Sequence, residues 1–308
     1  MTNNTNSSVL MNTELPLSLF IRGKVRDSYD LGDQLLIIAT DRISAFDFVL
    51  PCGIPDKGLV LNQFSVFWFN QTKHLVSNHL IEAIDDVHHL DNYILEENRF
   101  PYPPYLAGRS MVVKKVKRIP VECVVRGYLS GSAWAEYQQH GTISGIASPK
   151  GLQESQELPQ PLFTPTTKAE SGHDLPLTAD EMKNLVGDAL AEALEEKSLA
   201  IYNYARKYAR TRGIIIADTK MEFGLEHDNL ILIDELLTPD SSRFWDAHQY
   251  KVGQSQPSYD KQPVRDWLTQ SGWKKEPPAP MLPPEVIAST TERYQQAYER
   301  LTGKKLGY

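Results

Sequence analysis

Residues 214–224 read IIIADTKMEFG, and this stretch decides how the chain is expected to fold. Three isoleucines suit a covered central strand, and the residues after them alternate in character. Successive side chains of a strand point to opposite faces, so Asp218, Lys220 and Glu222 share one face. The sequence therefore predicts a strand with two carboxylates and one ammonium group on the same side.

A second predicted strand covers residues 230–236 and pairs with the first across a polar turn. If this hairpin turns near His227, Asp234 lies opposite Lys220 and diagonal to Glu222, roughly 7–8 Å away at the backbone. Two carboxylates at that spacing can converge on one hard cation with oxygen ligands, such as Mg²⁺. Spacing alone leaves open a second interpretation, a solvated sheet face with alternating charges.

Arginine and hydroxyl groups come together in two further segments. Arg126 ends a predicted strand that begins at Pro120, and Ser132 begins a predicted helix over residues 132–140. Backbone N–H groups there would form an anion site with both side chains, although Ser132 as a plain N-cap is the simpler alternative. Residues 239–243, PDSSR, suit a phosphate or carboxylate ligand, and the plainer alternative is a capped turn with a surface arginine.

The first third of the chain is predicted to be rich in strands with at least one helix. Its elements are a hairpin over residues 24–29 and 35–40, a helix over 61–75 and a strand over 110–117. Gly23 could admit a nucleotide beside this hairpin, with Lys24 contacting phosphate. The spacing GxxxxGK[ST] of a P-loop is absent, so this signal is weak by itself.

The remaining elements are mostly helical. Thr178 and Glu181 form a capping box, and apolar residues then recur at helical spacing, which predicts one long helix that stops near Gly213. Residues 277–284 form a stiff proline-rich linker, and a final helix is expected over residues 285–301.

The composition excludes several classes of protein. The 308 residues are 41% hydrophobic and 23% charged, and the net charge of −7 argues against nonspecific nucleic-acid or anionic-membrane binding. Cys52 and Cys123 lie far apart and outside any CxxC pattern, so we expect buried thiols and a cytoplasmic protein. No apolar run approaches the roughly 18 residues that span a bilayer. The first 14 residues are polar, lack a secretory signal and indicate a disordered tail.

Six strings together resemble the SAICAR synthetases, the phosphoribosylaminoimidazole-succinocarboxamide synthases of purine biosynthesis. The strings are RGKVRDSYD, ATDRISAFD, IPVECVVRGYLSGS, FTPTTKAESGHD, IIIADTKMEFG and DELLTPDSSRFW, and they follow in family order from Arg22 to Trp245. The strings around Arg126 and Lys220 are long and specific. The downstream string YKVGQSQPSYDKQPVRDWL resembles the longer form of this enzyme.

The resemblance implies an α+β, two-lobed SAICAR synthetase-like fold, related to ATP-grasp and kinase-like architectures. After the tail over residues 1–14, it implies an ATP-covering lobe with an antiparallel sheet over residues 15–118. A larger α+β lobe for substrate and metal, with a C-terminal helical extension, would cover residues 119–308. A monomer is favoured over a homodimer, because the longer C-terminal segment could cover a surface that shorter relatives use for dimerisation.

The implied activity is an ATP-dependent ligase that joins carboxyaminoimidazole ribotide (CAIR) and L-aspartate through an acyl phosphate, with Mg²⁺ as cofactor. The ATP-binding residues implied by the resemblance are Gly23, Lys24, Val25, Arg26, Lys114, Glu222 and Asp234, of which the last two hold the metal. The implied CAIR residues are Arg126, Ser132, Asp218, Lys220 and Arg243. Candidates for the aspartate pocket are Asp41, Arg42, Ser44, Asp47, Lys168, His173 and Asp174, and structural ion pairs or loop caps are their alternative role.

Two other functions remain as alternatives. A small-molecule or protein kinase could use Lys24, Glu222 and Asp234, but no HRD or DFG string is present. A catalytically silent nucleotide- or ribotide-binding protein is the second alternative. The presence of Lys220, Glu222 and Asp234 argues against it. Phosphate formed in proportion to amide would distinguish the ligase from both.

Overall fold

The computed structural model describes residues 9–168 and 174–307. Contacts within the chain divide these residues into two compact units. Unit 1 comprises residues 9–67, 80–115 and 260–307, and unit 2 comprises residues 68–79, 116–168 and 174–259.

Unit 1 is built on an antiparallel sheet. Its strands are β1 (Leu19–Arg22), β2 (Arg26–Asp30), β3 (Gln34–Ala39), β4 (Arg42–Ala45), β5 (Phe48–Gly53), β6 (Leu80–Ile84) and β7 (Ser110–Lys114). Five of them form a sheet in the order β1-β2-β3-β7-β6, and β4 pairs with β5 in a separate ribbon. The predicted hairpin is confirmed, because β2 pairs with β3 from Arg26 opposite Ala39 to Asp30 opposite Leu35.

Three α-helices contribute to unit 1. They are α1 (Lys57–Thr72), which also contributes residues to unit 2, α5 (Gln262–Gln270) and α6 (Pro284–Thr302). Short 3-10 helices cover Val87–Asn92, Glu96–Asn98 and Pro104–Leu106. The predicted helices over residues 61–75 and 285–301 correspond to α1 and α6.

Residues 260–307 belong to unit 1 through a shared hydrophobic core. Val264 and Leu268 of α5 lie in one buried cluster with Ile43 and Leu50 of the β4–β5 ribbon. Burial of such a side chain contributes about 1.5–3 kcal/mol, so this cluster ties the segments together. The grouping differs from the expected division after residue 118, which placed residues 260–308 in the C-terminal lobe. As functional lobes, the expected boundaries stay a prediction.

Residues 9–14 do not form the expected disordered tail. The Leu10 N–H donates to Asp41 at 2.8 Å, and the fully buried Thr13 donates to Asp27 through its N–H at 3.1 Å and its hydroxyl at 2.7 Å. The polar composition was misleading because these partners lie at least 14 positions away along the chain. Residues 1–8 of the expected tail lie outside the described residues.

Unit 2 contains the predicted strand over residues 214–224. Its strands are β8 (Lys117–Tyr128), β9 (Thr142–Ile143), β10 (Ile146–Ala147), β11 (Glu157–Phe163), β12 (Thr166–Thr167), β13 (Ile214–Glu226), β14 (Asn229–Ile233) and β15 (Ser242–Asp246). Six of them form a sheet in which β8 and β13 are central, with the order β11-β8-β13-β14. In addition, β12 pairs with β8 and β15 with β13, while β9 and β10 form a separate ribbon. The α+β class with antiparallel sheets is therefore confirmed.

The helices of unit 2 contain one break that the sequence did not predict. They are α2 (Gly131–His140), α3 (Ala179–Val186) and α4 (Asp188–Thr211). The predicted capping box is present, with the Glu181 N–H donating to the Thr178 hydroxyl at 3.2 Å. The single long helix is wrong, because Gly187 at φ 88° and ψ 154° ends α3 and precedes α4. Glycine reaches this backbone region without the penalty that a Cβ imposes.

Both cysteines are buried thiols without a disulfide, as expected. Burial raises the pKa of Cys123 to about 12, so this thiol is not a nucleophile at neutral pH. Among the residues that the structure describes, no helix is both long and apolar enough to cross a membrane.

Candidate active site

Four charged side chains form a ladder in unit 2, three on the central strands β8 and β13 and one, Lys168, just after β12. Glu122 of β8 and Glu222 of β13 are directly paired across the two strands. The Lys220 ammonium lies 2.6 Å from Glu122, and the Lys168 ammonium lies 3.2 Å from Glu122 and 2.7 Å from Glu222. Two ammonium groups thus offset two carboxylates that would repel each other across the strands. We call Lys220, Glu122, Lys168 and Glu222 the charged ladder.

The ladder carboxylate of Glu122 is charged although it is buried. Burial would raise its pKa, but Lys220 and Lys168 lower the pKa below the ordinary value of a glutamate. Burial would lower the pKa of Lys168, but Glu222 and Glu122 raise it above its ordinary value, with a further contribution from Asp234.

The expected register between β13 and β14 is wrong by one residue. Glu222 pairs with Ile233, so Asp234 lies beyond the last pair and does not face Lys220. The two turn residues, 227–228, have φ 48° and 66°, as in the type I′ turns that fix hairpin register. Asp234 has φ 68° and so leaves the extended geometry of the strand.

Glu222 and Asp234 both interact with the positive charge of Lys168, although their register differs from the expected one. The Lys168 ammonium contacts Glu222, and Asp234 raises the pKa of the same ammonium. Two carboxylates supply the hard oxygen ligands that suit Mg²⁺. Across residues 9–168 and 174–307, no group of three or more His, Cys, Asp or Glu side chains is placed to hold a metal ion.

A second cluster surrounds Asp218, four positions before Glu222 on β13. Its carboxylate lies 3.5 Å from Arg126 and accepts a hydrogen bond from Arg243. Arg126 also donates to the Ser132 hydroxyl at 3.4 Å, near the start of α2. Two guanidinium groups and one carboxylate leave an excess of one positive charge among these three side chains. We call Arg126, Ser132, Asp218 and Arg243 the arginine cluster.

Gly131 allows Arg243 to approach the first turn of α2. Gly131 has φ 58°, and a Cβ built on it would lie 2.2 Å from a terminal nitrogen of Arg243. The N-cap of α2 is Ser130, so Ser132 lies inside the helix and its reading as a plain N-cap is wrong. The serine hydroxyl instead accepts a hydrogen bond from Arg126, and the anion site stays a prediction.

In unit 1, Arg42 holds the turn that contains the expected ATP-binding residues. The Gly23 N–H donates to the Arg26 carbonyl at 2.7 Å, which closes the turn. The Arg42 guanidinium donates to the carbonyls of Gly23 at 3.0 Å and Lys24 at 3.2 Å, and it pairs with the buried Asp27 at 2.7 Å. The Lys24 side chain is about half exposed. Of the other expected ATP residues, Val25 accepts from the Thr40 N–H and Lys114 ends β7.

The residues expected for the aspartate pocket make mostly structural contacts in unit 1. Arg42 braces the turn, and Asp41 accepts from the Gly58 N–H at 2.9 Å and from Arg109 at 3.1 Å. Asp47 pairs with Lys24 at 2.6 Å. The others are Ser44, buried in β4, Lys168 of the ladder, Asp174, exposed, and His173, which lies outside the described residues. The aspartate pocket stays a prediction.

We expect Asp27→Asn to loosen the Gly23 turn and to lower the free energy of unfolding by about 3–5 kcal/mol at pH 7, because the buried Arg42 then has no carboxylate to neutralise its charge. Burial raises the pKa of Asp27, but bonds from Arg42 and Thr13 bring it below the ordinary 3.8. The stabilisation by Asp27 is therefore present above about pH 4 and is lost as the pH falls through the lowered pKa.

Urea unfolding of both proteins from neutral to acid pH measures this difference. The gap between wild type and Asp27→Asn should narrow below about pH 4. A gap that is constant over the whole pH range would contradict the assignment.

Glu122 is the site residue that sequence reasoning missed. It stands alone among apolar residues in the string PVECVV. Glutamate is almost never fully buried unless it is paired, so a single Glu inside an apolar strand was the available signal. Its two lysine partners lie 46 and 98 positions away along the chain and could not be found by local spacing.

Comparisons with known proteins show the family of this chain. Residues 19–280 match the family model of SAICAR synthetase. A phosphoribosylaminoimidazole-succinocarboxamide synthase from Thermodesulfovibrio yellowstonii is 53% identical over 299 residues, which cover 96% of this chain and 99% of the relative.

Solved structures show the same fold. The SAICAR synthase of Saccharomyces cerevisiae, solved in complex with SAICAR, is 44% identical, with a TM-score of 0.87 over 97% of this chain and 100% of its own. A SAICAR synthetase in complex with ADP is 25% identical, with a TM-score of 0.69 over 94% of this chain and 99% of its own. The implied fold is thereby confirmed, and the chain belongs to the SAICAR synthetase family.

Proposed function

We propose that the arginine cluster and the two lysines of the charged ladder bind CAIR and activate its carboxylate. As a member of its family, the chain is an ATP-dependent carbon–nitrogen ligase of purine biosynthesis, which joins CAIR and L-aspartate to give SAICAR, ADP and phosphate. One observation carries the assignment of residues. Asp218, Lys220 and Glu222 follow one another on one face of β13, and each contacts a different charged partner.

The arginine cluster is the proposed site for the ribotide phosphate. The two positive charges of Arg126 and Arg243 exceed the single negative charge of Asp218 by one. Guanidinium groups bind phosphate oxygens in a bidentate manner. The Ser132 hydroxyl and backbone N–H groups in the first turn of α2 supply further donors. Lys220, two residues after Asp218, would then face the other end of the ribotide.

The reaction requires two displacements. A carboxylate oxygen of CAIR attacks the γ-phosphorus of ATP, and the bond from this phosphorus to the bridging oxygen of ADP breaks. The amine of L-aspartate then attacks the acyl carbon and loses a proton, and phosphate leaves with the former carboxylate oxygen. Both steps shift negative charge between oxygens, so fixed ammonium and guanidinium groups stabilise them electrostatically.

We propose that Lys220 and Lys168 stabilise the negative charge on the reacting carboxylate and phosphoryl oxygens. Glu222 and Asp234 would hold Mg²⁺, which neutralises phosphate charge when bound. The turn formed by Gly23, Lys24, Val25 and Arg26 is the proposed contact of unit 1 with nucleotide phosphates, since its backbone is fixed by Arg42. The monomeric state and the role of Lys114 stay predictions.

A coupled assay for ADP tests this function. Purified protein receives Mg-ATP and CAIR, with and without L-aspartate, and ADP and SAICAR are measured together. We expect ADP release that depends on aspartate and matches SAICAR in amount. Release without aspartate would indicate a kinase, and no release at all would indicate a silent binding protein.

A further inference from the structure

We propose that Glu122 is a positioning residue, which holds the Lys220 and Lys168 ammonium groups in place for the reaction. The inference rests on the proposed function, in which the two lysines act on the reacting oxygens. Glu122 itself is not proposed to touch substrate.

Glu122 is a buried charge at the centre of the sheet. Its side chain is only 7% exposed, and it lies on central β8 directly opposite Glu222. Two facing carboxylates destabilise a sheet unless cations lie between them. A glutamate that served only packing would be replaced by an apolar residue at lower cost, because burial of a charge is expensive. We therefore attribute the charge of Glu122 to its partners, the Lys220 and Lys168 ammonium groups.

The two carboxylate oxygens of Glu122 contact different lysines. One oxygen lies 2.6 Å from the Lys220 ammonium, and the other lies 3.2 Å from the Lys168 ammonium. Glu122 thus fixes two lysines that come from separate parts of the sequence, one on β13 and one just after β12.

The contact with Glu122 restricts a flexible lysine side chain. The Lys220 side chain is 51% exposed, and an exposed lysine samples many rotamers. A charge-assisted hydrogen bond to a buried, rigid carboxylate restricts these rotamers before substrate arrives. Such preorganisation lowers the barrier, because the ammonium need not be oriented during the reaction.

Glu122→Gln tests the proposal with little change in shape. A glutamine offers one carbonyl oxygen and one NH₂ group, so a donor replaces the acceptor that faces one of the two lysines. We expect kcat to fall at least about tenfold, since a hydrogen bond to a charged group contributes about 1.5–3 kcal/mol and each 1.4 kcal/mol is tenfold. The KM for L-aspartate should change less than about threefold. A kcat within twofold of wild type would overturn the proposal.

A double-mutant cycle with Lys220→Met separates positioning from a general structural defect. If Glu122 acts through Lys220, Glu122→Gln should lower kcat much less in the Lys220→Met background than in wild type. Equal effects in both backgrounds would overturn the proposal, because a structural defect adds independently. If Glu122→Gln does not fold, Glu122→Asp retains the charge and withdraws it by one methylene, and a wild-type kcat in that variant would also overturn it.

Glu157→Gln is the matched control. Glu157 lies in the same sheet and also pairs with a cation, with Arg206 at 3.9 Å, but outside both clusters. It should retain near wild-type kcat, and a loss equal to that of Glu122→Gln would count against a specific role. If wild type itself shows no aspartate-dependent ADP release, the proposed function fails. If only the Glu122 result fails, that function stands without this inference.

Discussion

Glu222→Gln should lower ligase turnover by more than about 100-fold while the protein stays folded, because even outer partners of metal ligands are worth 10- to 100-fold. The substitution keeps the size of the side chain and removes the charge that is proposed to hold Mg²⁺ together with Asp234. The Glu222 side chain is 13% exposed, and it pairs with Lys168, which keeps Glu122 as a second carboxylate partner after the substitution. The fold should therefore tolerate the change.

Turnover at increasing Mg²⁺ concentration and thermal unfolding measure these two expectations. Glu226→Gln is the control, since it removes the same charge four positions later on β13, at the end next to the hairpin turn. It should keep near wild-type turnover. Near-normal activity of Glu222→Gln at low Mg²⁺ would show that the metal assignment is wrong.

Arg126→Met should raise the KM for CAIR about 10- to 150-fold, which corresponds to the loss of one charge-assisted hydrogen bond of 1.5–3 kcal/mol. Arg126 is one of two guanidinium groups that share Asp218, and its removal leaves Arg243 neutralised by that carboxylate. The excess positive charge for a phosphate is then lost. The KM for ATP should stay within about twofold, because the arginine cluster is proposed to bind the ribotide.

Steady-state kinetics with each substrate varied in turn provide the measurement. Arg210→Met on α4 removes the same charge from unit 2 outside the cluster and should leave the KM for CAIR unchanged. An equal rise of both KM values in Arg126→Met would point to a general defect of unit 2. An unchanged KM for CAIR would remove Arg126 from the ribotide site.

The strand that carries the site could be predicted from its sequence because its signals are local. Alternation along residues 214–224 placed Asp218, Lys220 and Glu222 on one face, and each meets a charged partner in the structure. The β2–β3 hairpin and the capping box at Thr178 followed from equally local chemistry. In these elements, side-chain period and turn residues determine the conformation.

The features that were missed depend on a single backbone angle or on distant residues. The positions of Asp234 and of the helix break at Gly187 are set by positive φ values, and a one-residue error in a hairpin turn shifts the whole register. Glu122 acquires its role from lysines far along the chain. The segment from Asp260 joins unit 1 through a core that no local pattern displays.

The most direct test of acyl phosphate chemistry follows an oxygen atom. CAIR labelled with ¹⁸O in its carboxylate is converted completely with Mg-ATP and L-aspartate, and the released phosphate is analysed by mass spectrometry. Our account predicts that each phosphate carries one carboxylate oxygen, because the acyl carbon–oxygen bond breaks when the amine attacks. SAICAR formation with unlabelled phosphate would contradict activation of the carboxylate by phosphorylation.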